Sequence, residues 1–156
     1  MRSLAELRQS FAGPGRVTWI GLRPARKQPP VAVESAVVDE DGLQGDHGRP
    51  GKRAVTLIQA EHLPVVASLC GREIVTPEML RRNIVVAGLN LSALRDTRVQ
   101  IGGVILHITG PCAPCSRMED VLGPGGYTAL RGHGGWCAGV ERPGEVAIGA
   151  EVRPLF

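Results

Sequence analysis

The stretch Val104-Ile105-Leu106-His107-Ile108-Thr109-Gly110-Pro111-Cys112-Ala113-Pro114-Cys115-Ser116-Arg117-Met118-Glu119 carries three signals in a row. Val104, Leu106 and Ile108 alternate with Ile105, His107 and Thr109, which is strand periodicity with both faces at least partly buried. Gly110 and Pro111 then end the run. Ser116 to Glu119 spells S-x-x-E, a capping box, and predicts a helix capped by Ser116. Cys115 would then stand just before a helix N-terminus. There the backbone N–H groups and the helix dipole stabilise a thiolate, and Arg117 adds positive charge.

Short strands and short helices extend outward in both directions. Upstream, Val17 to Leu22, Val31 to Val38 and Ala54 to Ile58 read as strands, and the last runs into a helix over 59–69 ended by Gly71. Thr76-Pro77-Glu78 starts a further helix that ends near Asn83, because Thr caps, Pro fits the first helical position and Glu suits the positive end of the dipole. Ile84 to Val86 reads as a strand and Leu91 to Leu94 as a turn. Downstream, Val146, Ile148 and Val152 close the chain with another strand. Residues 23–30 form a basic, Pro-rich loop, and Arg131 to Trp136 a glycine loop. Strands outnumber helices and turn signals recur throughout. The expected fold is mainly β with short helices, β-barrel-like, as a single domain over residues 15–156, preceded by an arm or short helix over 1–14.

Composition supports this and narrows the function classes. Gly (21) and Pro (12) make up about a fifth of the 156 residues, against about 12% on average, which argues against a coiled coil or long-helix bundle. The five aromatics (Phe11, Trp19, Tyr127, Trp136, Phe156) are too scattered for the base-stacking platforms of a single-strand nucleic-acid binder. Arginine supplies all basic residues but Lys27 and Lys52, and its planar fork favours an anionic ligand. No apolar run reaches the roughly 18 residues of a membrane span, and residues 1–12 lack the apolar core of a secretory signal. A cytoplasmic location is expected, where the four cysteines stay reduced.

Four constellations offer chemistry. Cys112-Ala113-Pro114-Cys115 is read as a functional thiolate at Cys115 that attacks, carries a persulfide or ligates a soft metal. Half a zinc site or two inert thiols fit the same residues. Zinc would need Cys137 and a histidine brought in by the fold, since no second C-x-x-C or H-x₃₋₅-H exists. The loop Gly42-Leu43-Gln44-Gly45-Asp46-His47 lets backbone approach a ligand and offers a carboxylate and an imidazole, with Arg49, Lys52 and Arg53 as anion donors. Arg81-Arg82-Asn83, at a helix-to-strand junction, could clamp a phosphate and hydrogen-bond a heterocycle. His133 lies in the glycine loop. His62, His107 and Cys70 read as structural.

In order, G-L-x-G-D-H, R-A-V-T-L-I entering Q-A-E-H, L-R-R-N-I-V-V-x-G-L-x-L, the strand ending in P-C, and G-x-x-x-G-V-x-x-P-G-x-V-x-I-G resemble the MOSC domain, named for the C-terminal domain of molybdenum-cofactor sulfurases. The likeness spans about residues 15–155. It implies a β-barrel-like fold and a molybdopterin cofactor, bound permanently or transiently. Members reduce N-hydroxylated compounds or bind the cofactor as it receives sulfur. By the resemblance, Pro114-Cys115 is the family's P-C, so Cys115 is the expected molybdenum ligand and catalytic thiol, and Cys112 an accessory thiol. Asp46 and His47 become proton donors to a departing oxygen. Arg53, Arg81, Arg82, Asn83 and His133 become cofactor-binding candidates. The expected partners are a small-molecule substrate and either an electron-donor protein, for reduction of N-hydroxylated or N-oxidised compounds, or a cysteine desulfurase, for a sulfur carrier with a persulfide on Cys115. A non-enzymatic module with structural zinc is the third reading. Pyridoxal phosphate, mentioned for the family, needs a Schiff-base lysine, and only the loop residues Lys27 and Lys52 exist. Turns that read G-D in many members are Gly102-Gly103 and Gly149-Ala150 here.

Overall fold

Every second residue of the strands points the same way, and here those residues converge on one interior. In a computed structural model, which describes residues 1–48 and 50–156, the chain forms eleven strands and five short helices. Strand β1 spans Gly15–Leu22, β2 Val31–Val33, β3 Ser35–Asp39, β4 Gly42–Leu43, β5 Val55–Gln59 and β6 Ile84–Ala87. They are followed by β7 Arg98–Ile101, β8 Val104–Pro111, β9 Trp136–Arg142, β10 Gly144–Ala147 and β11 Glu151–Leu155. The main sheet runs β11-β7-β8-β9-β5-β6-β1-β2, and β11 pairs back onto β1, so the sheet closes into a seven-stranded barrel with β2 outside the ring. Strands β10, β3 and β4 form a small second sheet.

Nearly all the pairings are antiparallel, but β5 and β6 run parallel. A parallel pair needs a crossover of a dozen or more residues. Residues 60–83 supply it, with α2 at His62–Leu69 and α3 at Pro77–Leu80. Helices α4 (Ser116–Leu122) and α5 (Gly126–Ala129) pack on the same outer face. Strand alternation therefore feeds two cores. Val55, Leu57, Ile84 and Val86 fill the barrel, while Ile58, next after Leu57, and Val85, between Ile84 and Val86, face outward into a second cluster with Val66, Leu80, Met118 and Leu122. This is why β5 is buried at all five positions.

Several expectations are corrected in detail. The strand over 31–38 is two strands on different sheets, and the closing strand is likewise split into β10 and β11. Strand β8 buries Val104, Leu106 and Ile108 and half-buries Ile105 and Thr109 on the other face, as expected, while His107 is exposed; full burial on both faces is seen in β5. Strand β9 begins inside the expected loop over 131–136, and β7 was not expected at all. The N-terminal segment carries helix α1 (Leu4–Arg8), with a Ser3–Glu6 capping box and no buried residue. Phe11 stacks on Phe156, ring centres 6.1 Å apart, which ties the arm to the C-terminus.

Candidate functional site

The register of three strands places a polar row on the outer wall of the barrel. Cys137 on β9 lies opposite Thr56 on β5. Leu57 pairs with Ile84, and Ile84 with Ile20, so one step along these strands sets Thr56 beside Asn83 and Asn83 beside Gly21. Their neighbours Ala138, Leu57, Ile84 and Ile20 point into the barrel, so Cys137, Thr56 and Asn83 point out of it.

Asn83 is fully buried and its amide is entirely used. Its Oδ1 accepts from the Thr56 backbone N–H (3.0 Å) and hydroxyl (3.2 Å). Its Nδ2 donates to the Gly21 carbonyl (3.1 Å) and to Asp46 Oδ1 (3.1 Å). Asn83 thus staples β1, β5 and β6 and holds Asp46. The Asp46 side chain is 1% exposed and forms a two-pronged ion pair with Arg23, through Nε (3.0 Å) and Nη2 (2.9 Å). It also accepts from the backbone N–H groups of Arg23 (2.7 Å) and Gly48 (2.9 Å). Burial pushes its pKa up, but the bonds and charge of Arg23, with help from Asn83, outweigh that and hold the carboxyl below its usual range. Asp46 thus anchors Arg23 as an ion pair.

His47 is exposed, with Nδ1 2.9 Å from the Arg23 carbonyl. A carbonyl only accepts, so Nδ1 is the donor in this contact, and Nε2 has no hydrogen-bond partner among the described residues. Arg82 is buried and donates to the carbonyls of Gly134 (2.7 Å) and Leu80 (2.9 Å); among the described residues it has no carboxylate partner. Arg81 terminates α3 in the left-handed region at φ 57°, an uncommon conformation for a side-chain-bearing residue. Its guanidinium donates to the carbonyls of Gln28 and Ala25, which fastens the 23–30 loop over the site. Burial, then the charges of Arg23 and Arg117, lower its pKa, with Asp46 opposing. A cleft of about 450 Å³ opens beside it, lined by Lys27, Glu78, Met79, Arg81, Arg117 and Val121.

The four cysteines separate by environment. Cys115 is exposed and is itself the N-cap of α4, two residues from Arg117 of the cleft. The expected Ser116 capping box does not form: Ser116 is the first helical residue, and Glu119 instead accepts from the backbone N–H groups of Gly125 (3.1 Å) and Tyr127 (3.0 Å). Cys112 is buried. Its Sγ lies 3.3 Å from Sγ of Cys137. In this pair the hydrogen bond between the thiols raises the pKa of Cys112, reinforced by burial. The same bond lowers that of Cys137, against its burial and with the charges of Arg53, Arg82 and Arg23 assisting.

Of the remaining candidates, Arg53 is exposed, two residues before β5. His133 is bonded through Nδ1 to the Ala129 carbonyl (3.1 Å) and packs edge-on against His62, 5.3 Å between ring centres. Arg49 lies outside the described residues. Sequence reasoning missed Arg23, Thr56 and the partnership of Cys137 with Cys112. Among the described residues no three His, Cys, Asp or Glu side chains gather as a metal site.

The geometry has solved counterparts. The YuaD protein from Bacillus subtilis superposes with a TM-score of 0.78 at 21% identity, covering 90% of this chain and 94% of that one. YiiM from Geobacillus stearothermophilus gives 0.76 at 18% identity (92% and 76% covered), and YiiM from Escherichia coli 0.72 at 20% (90% and 70%). At these identities the likeness is one of fold. No curated protein matches the sequence. The MOSC domain family matches residues 40–153, from the Asp46 loop through the cysteines to the closing strand, and the chain belongs to that family.

Proposed function

We propose that this MOSC protein binds a molybdenum cofactor on the outer wall described above and reduces small N-hydroxylated or N-oxidised compounds, with the Cys115 thiolate as the protein's ligand to molybdenum. The observation that carries the reading is the position of Cys115. It is the exposed cysteine of the four, at the start of α4 and two residues before Arg117, which lines a cleft together with Lys27, Arg81 and Glu78.

The donor set fits such a group. With no three-ligand cluster among the described residues, a metal here has to arrive carrying most of its own ligands. A molybdopterin does so through its dithiolene, and it needs from the protein one soft thiolate and donors for its phosphate. Lys27, Arg81 and Arg117 are the phosphate donors. Arg82, whose charge no carboxylate balances among the described residues, adds positive potential to the wall. When bound, the cofactor supplies the two-electron chemistry. Asp46 fixes Arg23, Asn83 fixes Asp46, and His47 offers Nε2 to hold or pass a proton to the departing oxygen, which leaves as water. Electrons come from a separate donor protein.

The test is molybdenum content. Protein purified from a host that makes the cofactor should contain the metal, Cys115→Ser should lose it, and Cys70→Ser should keep it. Metal-free wild type with the cofactor pathway intact contradicts the reading. The exposure of Cys115 also suits a second reading, in which it carries a persulfide received from a cysteine desulfurase. Mass spectrometry should then find one added sulfur on Cys115 that a reductant removes.

A further inference from the structure

We infer that Cys112 and Cys137 form a second, redox-active thiol site, reversibly oxidised to a disulfide by a hydroperoxide, with Cys137 as nucleophile and Cys112 as resolving thiol. The sequence presents Cys112 as the partner of Cys115 in a C-x-x-C, but the fold breaks that pair and makes another. Strands β8 and β9 run antiparallel with Pro111 opposite Trp136 and Gly110 opposite Cys137, and the Cys112 N–H donates to the Gly135 carbonyl at 2.9 Å. The ladder thereby holds the two sulfurs 3.3 Å apart, and about 1.3 Å of approach reaches the 2.05 Å of a disulfide bond.

An inert core pair would sit among apolar groups, which keep thiols protonated. This pair sits among cations: the charges of Arg82 and Arg23 act on both sulfurs, and that of Arg53 on Cys137. They favour an anion on Cys137, and the Cys112 thiol donates its proton toward it. Thiolate is the nucleophilic form. Both residues keep some exposure, 8% and 9%, so a small oxidant can reach them.

The chemistry balances without a metal. The Cys137 thiolate attacks one peroxide oxygen, the O–O bond breaks, and the alkoxide or hydroxide leaves and takes up a proton. This leaves a sulfenic acid on Cys137. The Cys112 sulfur then attacks that sulfur, the S–O bond breaks, and water departs. Two electrons have passed from the dithiol to the peroxide, and an external dithiol returns them by thiol–disulfide exchange. Closing the bond removes the negative charge that faces Arg53 and Arg82. The pair does not use Cys115 and needs no cofactor, so it can fail while the molybdenum reading holds, and the reverse.

The test uses the full chain, prepared reduced and metal-free, with hydrogen peroxide as the probe. Oxidised protein is alkylated and digested with trypsin, which places Cys112, with Cys115, in the peptide 99–117 and Cys137 in 132–156. The expected result is loss of two alkylatable thiols and a cross-link between these peptides. The cross-link should persist in Cys115→Ser and be reversed by dithiothreitol. In Cys112→Ala, dimedone should trap a sulfenic acid on Cys137; in Cys137→Ala, none should form on Cys112. A Cys112–Cys115 link, or Cys112 and Cys137 both still alkylatable at peroxide concentrations that oxidise the exposed Cys115, overturns the proposal. The peptide map of Cys115→Ser, in which Cys112 is the one cysteine of peptide 99–117, decides even if the alanine variants do not fold.

Discussion

Replacing Asp46 by Ala should cost about 3–5 kcal/mol of folding stability, the range for removing one partner of a buried ion pair. The magnitude follows from what is left behind. The Arg23 side chain is 15% exposed and has its charge balanced by Asp46 alone among the described residues. The carboxylate also satisfies the N–H groups of Arg23 and Gly48 and one amide proton of Asn83. All of these would be stranded. Asp46→Asn keeps the shape and part of the bonding, so its loss should be smaller, about 1.5–3 kcal/mol, the worth of hydrogen bonds to a charged group. The double change Arg23→Met with Asp46→Leu should be less destabilising than Asp46→Ala, because it leaves no orphaned charge. The sign of the pH dependence follows from the lowered folded-state pKa. A depressed carboxylate contributes stability that is full above its unfolded pKa of about 3.9 and is lost as pH falls through the folded value. The gap between wild type and Asp46→Asn should therefore be constant near neutrality and narrow below about pH 4. Urea unfolding followed by tryptophan fluorescence reads both. A wild-type-like Asp46→Ala, or a gap that does not narrow with acid, would refute the buried-pair account.

Three further outcomes follow from single residues. Gly135 has φ +97°, and a Cβ there would press into the Leu57 carbonyl, so Gly135→Ala should lower stability by about 1–3 kcal/mol in the same unfolding assay. Arg81 has φ 57°, so Arg81→Gly should be more stable than Arg81→Ala by about 1 kcal/mol, although both lose the bonds to the 23–30 loop. Alkylation of Cys137 by iodoacetamide should have its midpoint below the ordinary thiol value of about 8.5, and Cys112→Ala should move it upward by removing the donated hydrogen bond.

The elements that were legible in the sequence are those whose signal is local. Val104 to Ile108 and Val55 to Ile58 announce strands through alternation or a β-branched run, and Thr76-Pro77 announces a helix start. What stayed hidden depends on pairing. Strand β9 begins at Trp136 after Gly132, Gly134 and Gly135, so local chemistry reads as loop; its strand character comes from β5 and β8 on either side. The same holds for the site. The glycine loop, Arg81–Asn83 and the cysteine pair were all visible as segments. That Asp46 is spent on Arg23, 23 residues away, and Cys112 on Cys137 is set by registers across the barrel. S-x-x-E at Ser116 misleads because Glu119 finds better donors in the Gly125–Tyr127 turn.

Molybdenum analysis of the purified protein and of Cys115→Ser, both from a host with an intact cofactor pathway, tests the central claim most directly. The account predicts metal in the wild type and its loss in the variant, with the cofactor-free forms of the two unfolding alike because Cys115 is exposed. Wild type without molybdenum, or a variant that retains it, would contradict the assignment of Cys115 as the ligand.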